Sequence, residues 1–570
     1  MTDAERYQIT SNDYADLLIE YNGNMNVFNY YPDGTINLID RNYAVLHIPA
    51  YNMTQDSIHR YGYFSIPSCF GLLSSCQNIS NDAIRQKNLP QDTLSGQGVL
   101  IGIIDTGIDY QNPVFKDAKN ATRIASIWDQ TIESDKYPDG FYYGTEYSRE
   151  QINGALNSPD PSKVVPSTDE LGHGTTLAGV AAGSPDSQNG FSGVAPGAEF
   201  IVVKLKLAKP YLKEFFIIPE NAICYQENDI ILGAKYLTQT AKKLNRPLVI
   251  SLGMGSGQSD HTGNRIISRY LSSLGDTAGQ SVIVSAGNEG NRRHHYFGDI
   301  NNPFRSENVF LNVGENEPGF SMQFRSTSPN QYWINVYAPT GEFITTIPPG
   351  SGSTQISEYH GTTIIVDNQL QEPLSSTQFT VFRISKPVAG IWRLYIYGNS
   401  DGLPMNFHLW LPIHNFIKKS TFFYRSNSNT TITAPGNQSD LICITAYDPL
   451  IRTLYYFASK GFTINDYPKP DLTAPGVNIL SPTLNNQFIN SSGTSISAAY
   501  TAGIVAMMLE WGIIQGLYPF MSNAVIKKLL IQGADRDPDM TFPNPDWGYG
   551  TVNIEKVLGL LKILLNNRVI

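Results

Sequence analysis

The chain has 570 residues, too many for one compact core, so we expect about two to four domains. Its composition, 41% hydrophobic and 16% charged, is globular, and its formal net charge of −10 at pH 7 argues against nucleic-acid and anionic-membrane partners. The polar start, MTDAERYQIT, lacks the basic and apolar segments of a secretory signal. The most apolar window, residues 501–518, contains Glu510 and is not expected to span a membrane.

The four cysteines are scattered and form no CxxC motif, which argues against a zinc site and a disulfide framework. Cys69 and Cys76 are close enough in sequence to pair, but buried free thiols in a reducing compartment are the favoured interpretation. The other two are Cys224 and Cys443.

Residues 1–75 predict a small unit of mixed helix and strand, with a short helix at NMTQDSIHRYG and strands at DLLIEYNG, AVLHIPA and YFSIPSCF. Residues 76–305 then alternate helix-length segments with the short apolar runs GVLIGIID, EFIVVKLKL, PLVISLG and SVIVSAG. Such runs are typical of strands buried on both faces of a parallel sheet. The alternation predicts an α/β fold with a doubly wound, mostly parallel sheet.

Residues 306–430 have a different pattern, in which apolar and polar residues alternate in GFSMQFRS, YWINVYAP, TQFTVFRIS, GIWRLYIYG and NFHLWLP. This period of two predicts an antiparallel β-sandwich of jelly-roll type. Residues 431–570 return to the α/β pattern, with a strand at DLICITAYD and helices over 498–515 and 522–533. The simplest arrangement is one α/β domain, 76–305 and 431–570, with the sandwich inserted into it.

Four polar residues of the α/β segments follow predicted strands or precede predicted helices. Asp105 ends IGIID, His173 lies between two glycines in LGHGTTLAGVAAG, Asn288 follows VIVSAG, and Ser495 lies in GTSISAAYTAG. Taken alone, each has an ordinary explanation: a helix cap, a loop histidine, a turn, or a closely packed helix.

Together these four residues contain the parts of a nucleophilic site. A serine hydroxyl needs a neighbouring base, and histidine suits that task because its pKa lies near neutrality. A carboxylate on the other ring nitrogen orients the imidazole. An amide side chain and a backbone N–H at a helix start supply donors for an oxyanion.

The motifs DTGID, HGTTLAGVAAG, SLG, SAGNEG, KPDLTAPG and GTSISAAYTAG, in this order, resemble those of the subtilisin-like serine proteases (subtilases, family S8). The resemblance covers residues 76–305 and 431–555. It implies a serine endopeptidase in which Asp105 orients His173, His173 is the general base and acid, and Ser495 attacks. It also implies that Asn288 and the N–H of Ser495 form the oxyanion hole. One departure is Ala499, where the family usually has proline; no chemical group is lost.

The same resemblance implies the residues that bind substrate. The extended edge that pairs with the substrate backbone is implied at Ser251, Leu252 and Gly253. The pocket for the residue before the cut bond is implied at Ser285, Ala286 and Gly287. Glu289 is expected near the rim of that pocket.

The N-terminal unit and the insertion between Asn288 and Ser495 resemble the clostridial Csp germination proteases and their relatives. That resemblance implies that residues 1–75 are a propeptide and intramolecular chaperone, which the enzyme cuts within GLLSSCQ, residues 71–77, and which stays bound as a partner. The autocleavage region is expected at Leu73, Ser74, Ser75, Cys76 and Gln77. The resemblance also implies a cytoplasmic or spore-associated place in a bacterium, and a protein or peptide substrate such as the zymogen of a spore cortex-lytic hydrolase.

No cofactor or metal is predicted, because the acidic turns DPDM and SPDPSK lack the spacing of calcium ligands and the adjacent His294 and His295 make a poor metal pair. A catalytically silent binding or sensing partner with the subtilase fold is the main alternative, and the complete set of site residues argues against it. A second alternative is carbohydrate binding by the inserted sandwich. The period-two pattern instead assigns to the sandwich core the three tryptophans of that region, Trp333, Trp392 and Trp410.

Overall fold

The computed structural model describes residues 2–73, 75–77, 94–301, 305–326, 330–350, 352–369, 378–399 and 402–566. The N-terminal unit is a three-stranded antiparallel sheet in the order β1-β3-β2, accompanied by two short helices. Its elements are α1 (Asp3–Thr10), β1 (Tyr14–Glu20), β2 (Thr35–Leu38), β3 (Tyr43–Pro49) and α2 (Ser57–Tyr61).

The predicted strand at YFSIPSCF is largely wrong. Residues 63–65 form a 3₁₀ turn, and Pro67, which has no N–H to donate, precedes the true start of the strand at Cys69. The chain then forms two short strands that leave the N-terminal sheet and pair with the larger domain. They are β4 (Cys69–Leu72) and β5 (Ser75–Gln77).

The first α/β segment supplies most of the central sheet. Its strands are β6 (Leu100–Asp105), β7 (Ile124–Asp129), β8 (Thr145–Ser148), β9 (Glu199–Lys204), β10 (Tyr225–Gln226), β11 (Leu248–Leu252), β12 (Met254–Gly255) and β13 (Gln280–Ser285). Its helices are α3 (Arg149–Leu156), α4 (Pro161–Val164), α5 (His173–Ala182), α6 (Pro210–Phe216), α7 (Glu227–Lys243) and α8 (Ile266–Gly275).

The insertion consists of two antiparallel sheets. Its strands are β14 (His295–Asp299), β15 (Ser306–Val313), β16 (Gly319–Ser326), β17 (Gln331–Tyr337), β18 (Phe343–Ile347), β19 (Thr354–Tyr359), β20 (Thr362–Gln369), β21 (Phe379–Ser385), β22 (Gly390–Asn399), β23 (Asn406–Trp410) and β24 (Phe422–Phe423). The sheet orders are β14-β23-β16-β21-β20-β19 and β18-β17-β22-β15-β24, and inward side chains of both sheets form one apolar core. We call residues 295–423 the two-sheet unit. It begins before the predicted boundary at 306 because β14 pairs with β23.

The second α/β segment completes the domain with β25 (Ile442–Asp448), β26 (Thr453–Leu454), β27 (Leu472–Pro475), β28 (Ile479–Pro482), β29 (Phe488–Ser492), α9 (Thr494–Leu509), α10 (Asn523–Gln532) and α11 (Ile554–Asn566). The central sheet has the order β26-β25-β13-β11-β6-β9-β7-β8, with β27 also paired to β25. Its pairs are parallel except β7–β8 and β25–β26, which confirms the predicted α/β class. Helices α5 and α9 cover one face, and α7 and α8 cover the other.

Helix α9 is the apolar core helix of the domain. With the turn that follows it, Thr494–Ile514 is long and apolar enough to cross a membrane, but 89% of its most apolar window is buried inside the protein. The one acidic residue of the segment Thr494–Ile514 is Glu510, which follows α9 directly. Its carboxylate accepts three backbone N–H groups from residues 95–97 and so fixes the start of the α/β domain. The burial of the helix within its own domain therefore accounts for its composition.

Candidate active site

Asp105 and His173 meet at the carboxyl edge of the central sheet. Strand β6 ends at Asp105, α5 begins at His173, and the His173 Nδ1 atom lies 2.7 Å from Asp105 Oδ1. The backbone N–H of Thr106 donates to the same oxygen at 2.8 Å. A Cβ atom on Gly174 would lie 2.2 Å from the carbonyl oxygen of Gly107, so only glycine lets α5 approach the Asp105 loop this closely.

A buried acid that the sequence analysis missed, Asp169, holds the start of α5. Its carboxylate accepts the Thr106 hydroxyl at 2.8 Å, which links the helix to the residue after Asp105. It also accepts backbone N–H groups from Leu171, Gly172 and Thr175. Asp169 thus caps the start of α5, and an acidic residue shortly before a predicted helix is the sequence signal for a cap of this kind. The network fixes the helix that carries His173.

The environment of His173 favours its protonated form. Burial opposes a charge on the ring, but the attraction and hydrogen bond of Asp105, with the added attraction of Asp169, outweigh that cost and raise the pKa of His173 above its ordinary value. The Nε2 atom is buried and has no hydrogen-bond partner among the described residues. His173 Nε2 and the Ser495 hydroxyl therefore make no hydrogen bond to each other in this structure.

Ser495 and Asn288 converge on one carbonyl oxygen of the protein itself. Gly493, with φ of +147°, turns the chain from β29 into α9, and Ser495 is the second residue of that helix. The Ser495 hydroxyl donates to the carbonyl oxygen of Leu73 at 3.0 Å, and Asn288 Nδ2 donates to the same oxygen at 2.6 Å. Thr494 donates through its N–H and hydroxyl to Asn288 Oδ1, which directs the amide nitrogen toward Leu73.

The backbone around Leu73 runs through a cleft as an added strand. Before Leu73, β4 lies between β10 and β12 and is antiparallel to both. The Leu73 N–H donates to the carbonyl oxygen of Gly253 at 3.3 Å. After Leu73, the backbone of β5 pairs antiparallel with β29, which leads directly into α9. Residues 69–77 therefore cross the site on both sides of the Leu73 carbonyl, although Ser74 lies outside the described residues.

The predicted substrate edge has three different environments. A Cβ atom on Gly253 would lie 3.1 Å from Ser495 Cβ and 3.2 Å from His173 Cε1, so this glycine borders both side chains. The side chain of Leu252 points into the apolar core. The hydroxyl of Ser251 is buried without a hydrogen-bond partner among the described residues. Only Gly253 makes a backbone hydrogen bond to Leu73.

The Leu73 side chain is fully buried in a pocket that the sequence analysis identified only in part. A Cβ atom on Gly255 would lie 2.8 Å from Leu73 Cδ1 and 2.3 Å from Thr433 Oγ1. A Cβ atom on Gly287 would lie 2.7 Å from the same Thr433 oxygen. Ala286 accepts the Thr433 N–H at 2.9 Å. The pocket thus includes Gly255 and Thr433, which lie far from each other in sequence. The hydroxyl of Ser285 donates instead to the backbone of β11.

The Glu289 side chain, expected near the rim of that pocket, makes its contacts with two histidines. It is buried between two histidines, with Oε2 lying 3.2 Å from His294 Nδ1 and Oε1 lying 2.7 Å from His414 Nδ1. Burial alone would raise the pKa of Glu289, but the two histidines reverse that effect and lower it to about 2. Glu289 therefore links the segment after Asn288 to the loop between β23 and β24 of the two-sheet unit.

Other predicted features lie away from this site. No group of three or more potential metal-binding side chains occurs among the described residues. His295 contacts His408 at 2.8 Å, while Trp392 and Trp410 are buried and Trp333 lies partly exposed against Tyr397. Three cysteines are free and buried: Cys69, Cys224 and Cys443. The Cys76 side chain lies outside the described residues.

Comparison with known proteins identifies the family. Residues 96–378 and 397–551 match the subtilase family, Peptidase S8. The chain belongs to the subtilase family, and its class is that of the subtilisin-like serine endopeptidases.

Three relatives differ in how much of the chain they match. The structure of the Clostridium perfringens CspB protease is 31% identical, with a TM-score of 0.73, and the match covers 82% of this chain and 94% of that one. A C5a peptidase of Streptococcus pyogenes is 24% identical over 520 residues, 84% of this chain but 40% of the relative. The serine protease AprX of Bacillus subtilis is 32% identical over 145 residues, 22% of this chain and 31% of AprX. The chain thus spans about 40% of the length of the C5a peptidase.

Proposed function

We propose that the chain is a serine endopeptidase that cuts its own Leu73–Ser74 bond. The observation that carries the proposal is the Leu73 carbonyl oxygen, which receives hydrogen bonds from Ser495 Oγ at 3.0 Å and Asn288 Nδ2 at 2.6 Å. A carbonyl held between a hydroxyl and an amide donor is poised for attack and for stabilisation of the oxyanion that results.

The site residues would act in the following sequence. His173 Nε2 takes the Ser495 proton while Oγ attacks the Leu73 carbonyl carbon, and Asp105 stabilises the imidazolium. Asn288 and the Ser495 N–H stabilise the negative oxygen. The tetrahedral intermediate collapses, the His173 proton passes to the departing Ser74 amine, and an acyl-enzyme on Ser495 remains. Water activated by His173 then hydrolyses that ester.

Residues 1–73 would remain bound after this cut, because polar contacts away from the bond hold them. Glu227 accepts the Ser68 N–H at 2.9 Å and pairs with the buried Arg265, whose guanidinium also donates to the Ile66 carbonyl. Gln258 accepts the Cys69 N–H at 2.8 Å. None of these bonds involves Ser74 or later residues. A retained N-terminal fragment would keep the cleft filled until another polypeptide displaces it.

The identity to CspB supports a further proposal about the substrate. A relative that matches 82% of this chain makes a CspB-like role the leading one, with a protein zymogen such as a spore cortex-lytic hydrolase as the partner. A cytoplasmic or spore-associated location belongs to the same proposal.

Intact mass of the denatured protein tests whether Ser495 cuts the chain. We expect two fragments from the natural sequence and one intact chain from Ser495→Ala. Ser497→Ala is the matched control on the same helix, because the Ser497 hydroxyl donates to the Ala474 and Pro475 carbonyls of β27 and not to Leu73. An intact natural chain would point to a catalytically silent partner, and a cut Ser495→Ala chain would exclude self-cleavage.

A further inference from the structure

Gly71 occupies the third position before the bond that we propose is cut. It lies in β4, opposite Gly255 of β12, and is buried. Its backbone does not have the positive φ that would require glycine, so any residue type could adopt its conformation. The space around Gly71, not its backbone, therefore decides whether a side chain fits.

The loop between β23 and β24 of the two-sheet unit fills that space. A Cβ atom on Gly71 would lie 2.7 Å from Ile413 Cδ1 and 3.2 Å from both Cγ and Oδ1 of Asn415. Contacts between carbon atoms are most favourable at about 3.5–4.0 Å, so the first distance is a steric overlap. An alanine at this position requires Ile413 or Asn415 to move.

Packing and hydrogen bonds restrict movement at Ile413 and His414, whereas Asn415 is exposed. Ile413 is 2% exposed and belongs to an apolar core that is shared with the N-terminal unit. Phe379 and Phe416 are part of the same core. The next residue, His414, is held by Glu289 through its backbone N–H at 3.1 Å and its Nδ1 atom at 2.7 Å. The Phe416 N–H donates to the Ile413 carbonyl at 2.9 Å. Overpacking such a buried contact is costly.

We propose that residues 413–415 form a subsite that restricts the third residue before the cut bond to glycine. The inference rests on the proposed self-cleavage and specifies its substrate class. A substrate enters as an extended strand with glycine at that position and an apolar residue, such as leucine, at the bond. The two-sheet unit therefore contributes to specificity through its loop between β23 and β24.

Self-cleavage after refolding, followed by intact mass, tests the subsite. Gly71→Ala is expected to slow the reaction at least about tenfold, equivalent to about 1.4 kcal/mol. Adding Ile413→Val, which removes the overlapping Cδ1 atom, is expected to restore most of the rate, and Gly71→Ala/Asn415→Ala to restore part of it. Gly154→Ala is the control, because a Cβ atom there meets nothing within 4 Å.

The outcomes separate the subsite from the proposed function. If the natural chain is not cut, the self-cleavage proposal fails and the subsite with it. If the natural chain is cut and Gly71→Ala is cut equally fast, only the subsite is overturned. A slow Gly71→Ala that neither second substitution restores also overturns it. Thermal unfolding of the same variants carrying Ser495→Ala separates a slow cut from a damaged fold.

Discussion

Two buried aspartate–histidine pairs in this protein have the same geometry and different surroundings. In one, His173 Nδ1 lies 2.7 Å from Asp105; in the other, His47 Nδ1 lies 2.7 Å from Asp16, where the N-terminal unit meets the α/β domain. The Nε2 atom of each histidine is buried without a partner among the described residues. By distance and burial alone, the two pairs would be equal candidates for a catalytic pair.

The neighbouring charges distinguish the two pairs. Asp16 also accepts Lys209 Nζ at 2.7 Å and Gln226 Nε2 at 2.8 Å, so its charge is shared. Burial lowers the pKa of His47, the attraction of Asp16 opposes this, and repulsion from Lys209 and Lys206 leaves the pKa below its ordinary value. The pKa of His173, with no lysine among its causes, is raised. The charges around a pair, more than its hydrogen bond, indicate which histidine can act as a base.

Replacing each histidine with alanine should give the largest contrast. We expect His173→Ala to slow self-cleavage by about 10⁴-fold or more, because Ser495 loses its base. The His47→Ala variant should cut itself at a rate within about tenfold of the natural rate, but it should hold residues 1–73 less tightly. A refolding time course read by intact mass, with size-exclusion chromatography of the product, measures both effects. Equal loss of cleavage in the two variants would end the distinction between the pairs.

Removing an amide from each region should give the next largest effect. Asn288→Ala deletes a donor to the Leu73 carbonyl and should slow self-cleavage by about 10²–10³-fold. Asn228→Ala deletes a longer contact to Asp16, 3.3 Å, and is the matched control. It should leave the cleavage rate nearly unchanged. The same refolding assay measures both variants, and an Asn288→Ala rate near that of the natural chain would exclude its role at the oxyanion.

The two histidines should respond to pH in opposite ways. Proton abstraction needs neutral His173, whose pKa lies above the ordinary 6.5, so cleavage should fall about tenfold per pH unit below that raised value. Asp169→Asn should move this acid limb to lower pH. The pKa of His47 is lowered while residues 1–73 are bound and returns to about 6.5 after their release. The contribution of His47 to attachment is therefore fully present above about pH 6.5 and is lost as the pH falls toward the lowered pKa.

Cleavage rates between about pH 5.5 and 8.5 and dissociation of residues 1–73 over the same range measure both responses. An acid limb unchanged in Asp169→Asn would contradict the assigned cause of the raised pKa. Tighter attachment at acid pH would contradict the account of His47.

Ser251→Ala should have the smallest effect. The Ser251 hydroxyl lies near the site but is buried without a partner among the described residues, so its removal deletes no known bond. We expect a cleavage rate within about twofold of the natural one in the refolding assay. A loss of tenfold or more would mean that the hydroxyl binds the chain in the cleft.

The sequence predicted the parts of the site that short motifs carry. Asp105, His173, Asn288 and Ser495 each lie at the end of a strand or the start of a helix, where local patterns fix their position. Thr433 and Ile413 were not predicted, because one follows the two-sheet unit and the other lies in a loop of it, far in sequence from the residues of the cleft. The contact of Glu289 with His414 was missed for the same reason, since the two residues lie 125 positions apart.

Local geometry also limited the prediction of elements. The helix predicted over 498–515 begins earlier, at Thr494. The turn that precedes it is made by Gly493, and the polar residues after that glycine already belong to the helix. Pro67 delays the strand predicted at YFSIPSCF, and the pairing of β4 with β12 then places the Leu73 carbonyl at the site. The family resemblance placed the expected cut within residues 71–77, and the contacts of one carbonyl oxygen lead us to propose the bond after Leu73.

The most direct measurement is the mass of the amino-terminal fragment, which identifies its last residue. The account predicts a fragment that ends at Leu73 and a second that begins at Ser74. A fragment ending at Ser75, Cys76 or Gln77 would contradict the assignment of the Leu73 carbonyl to the oxyanion site, even if Ser495 makes the cut.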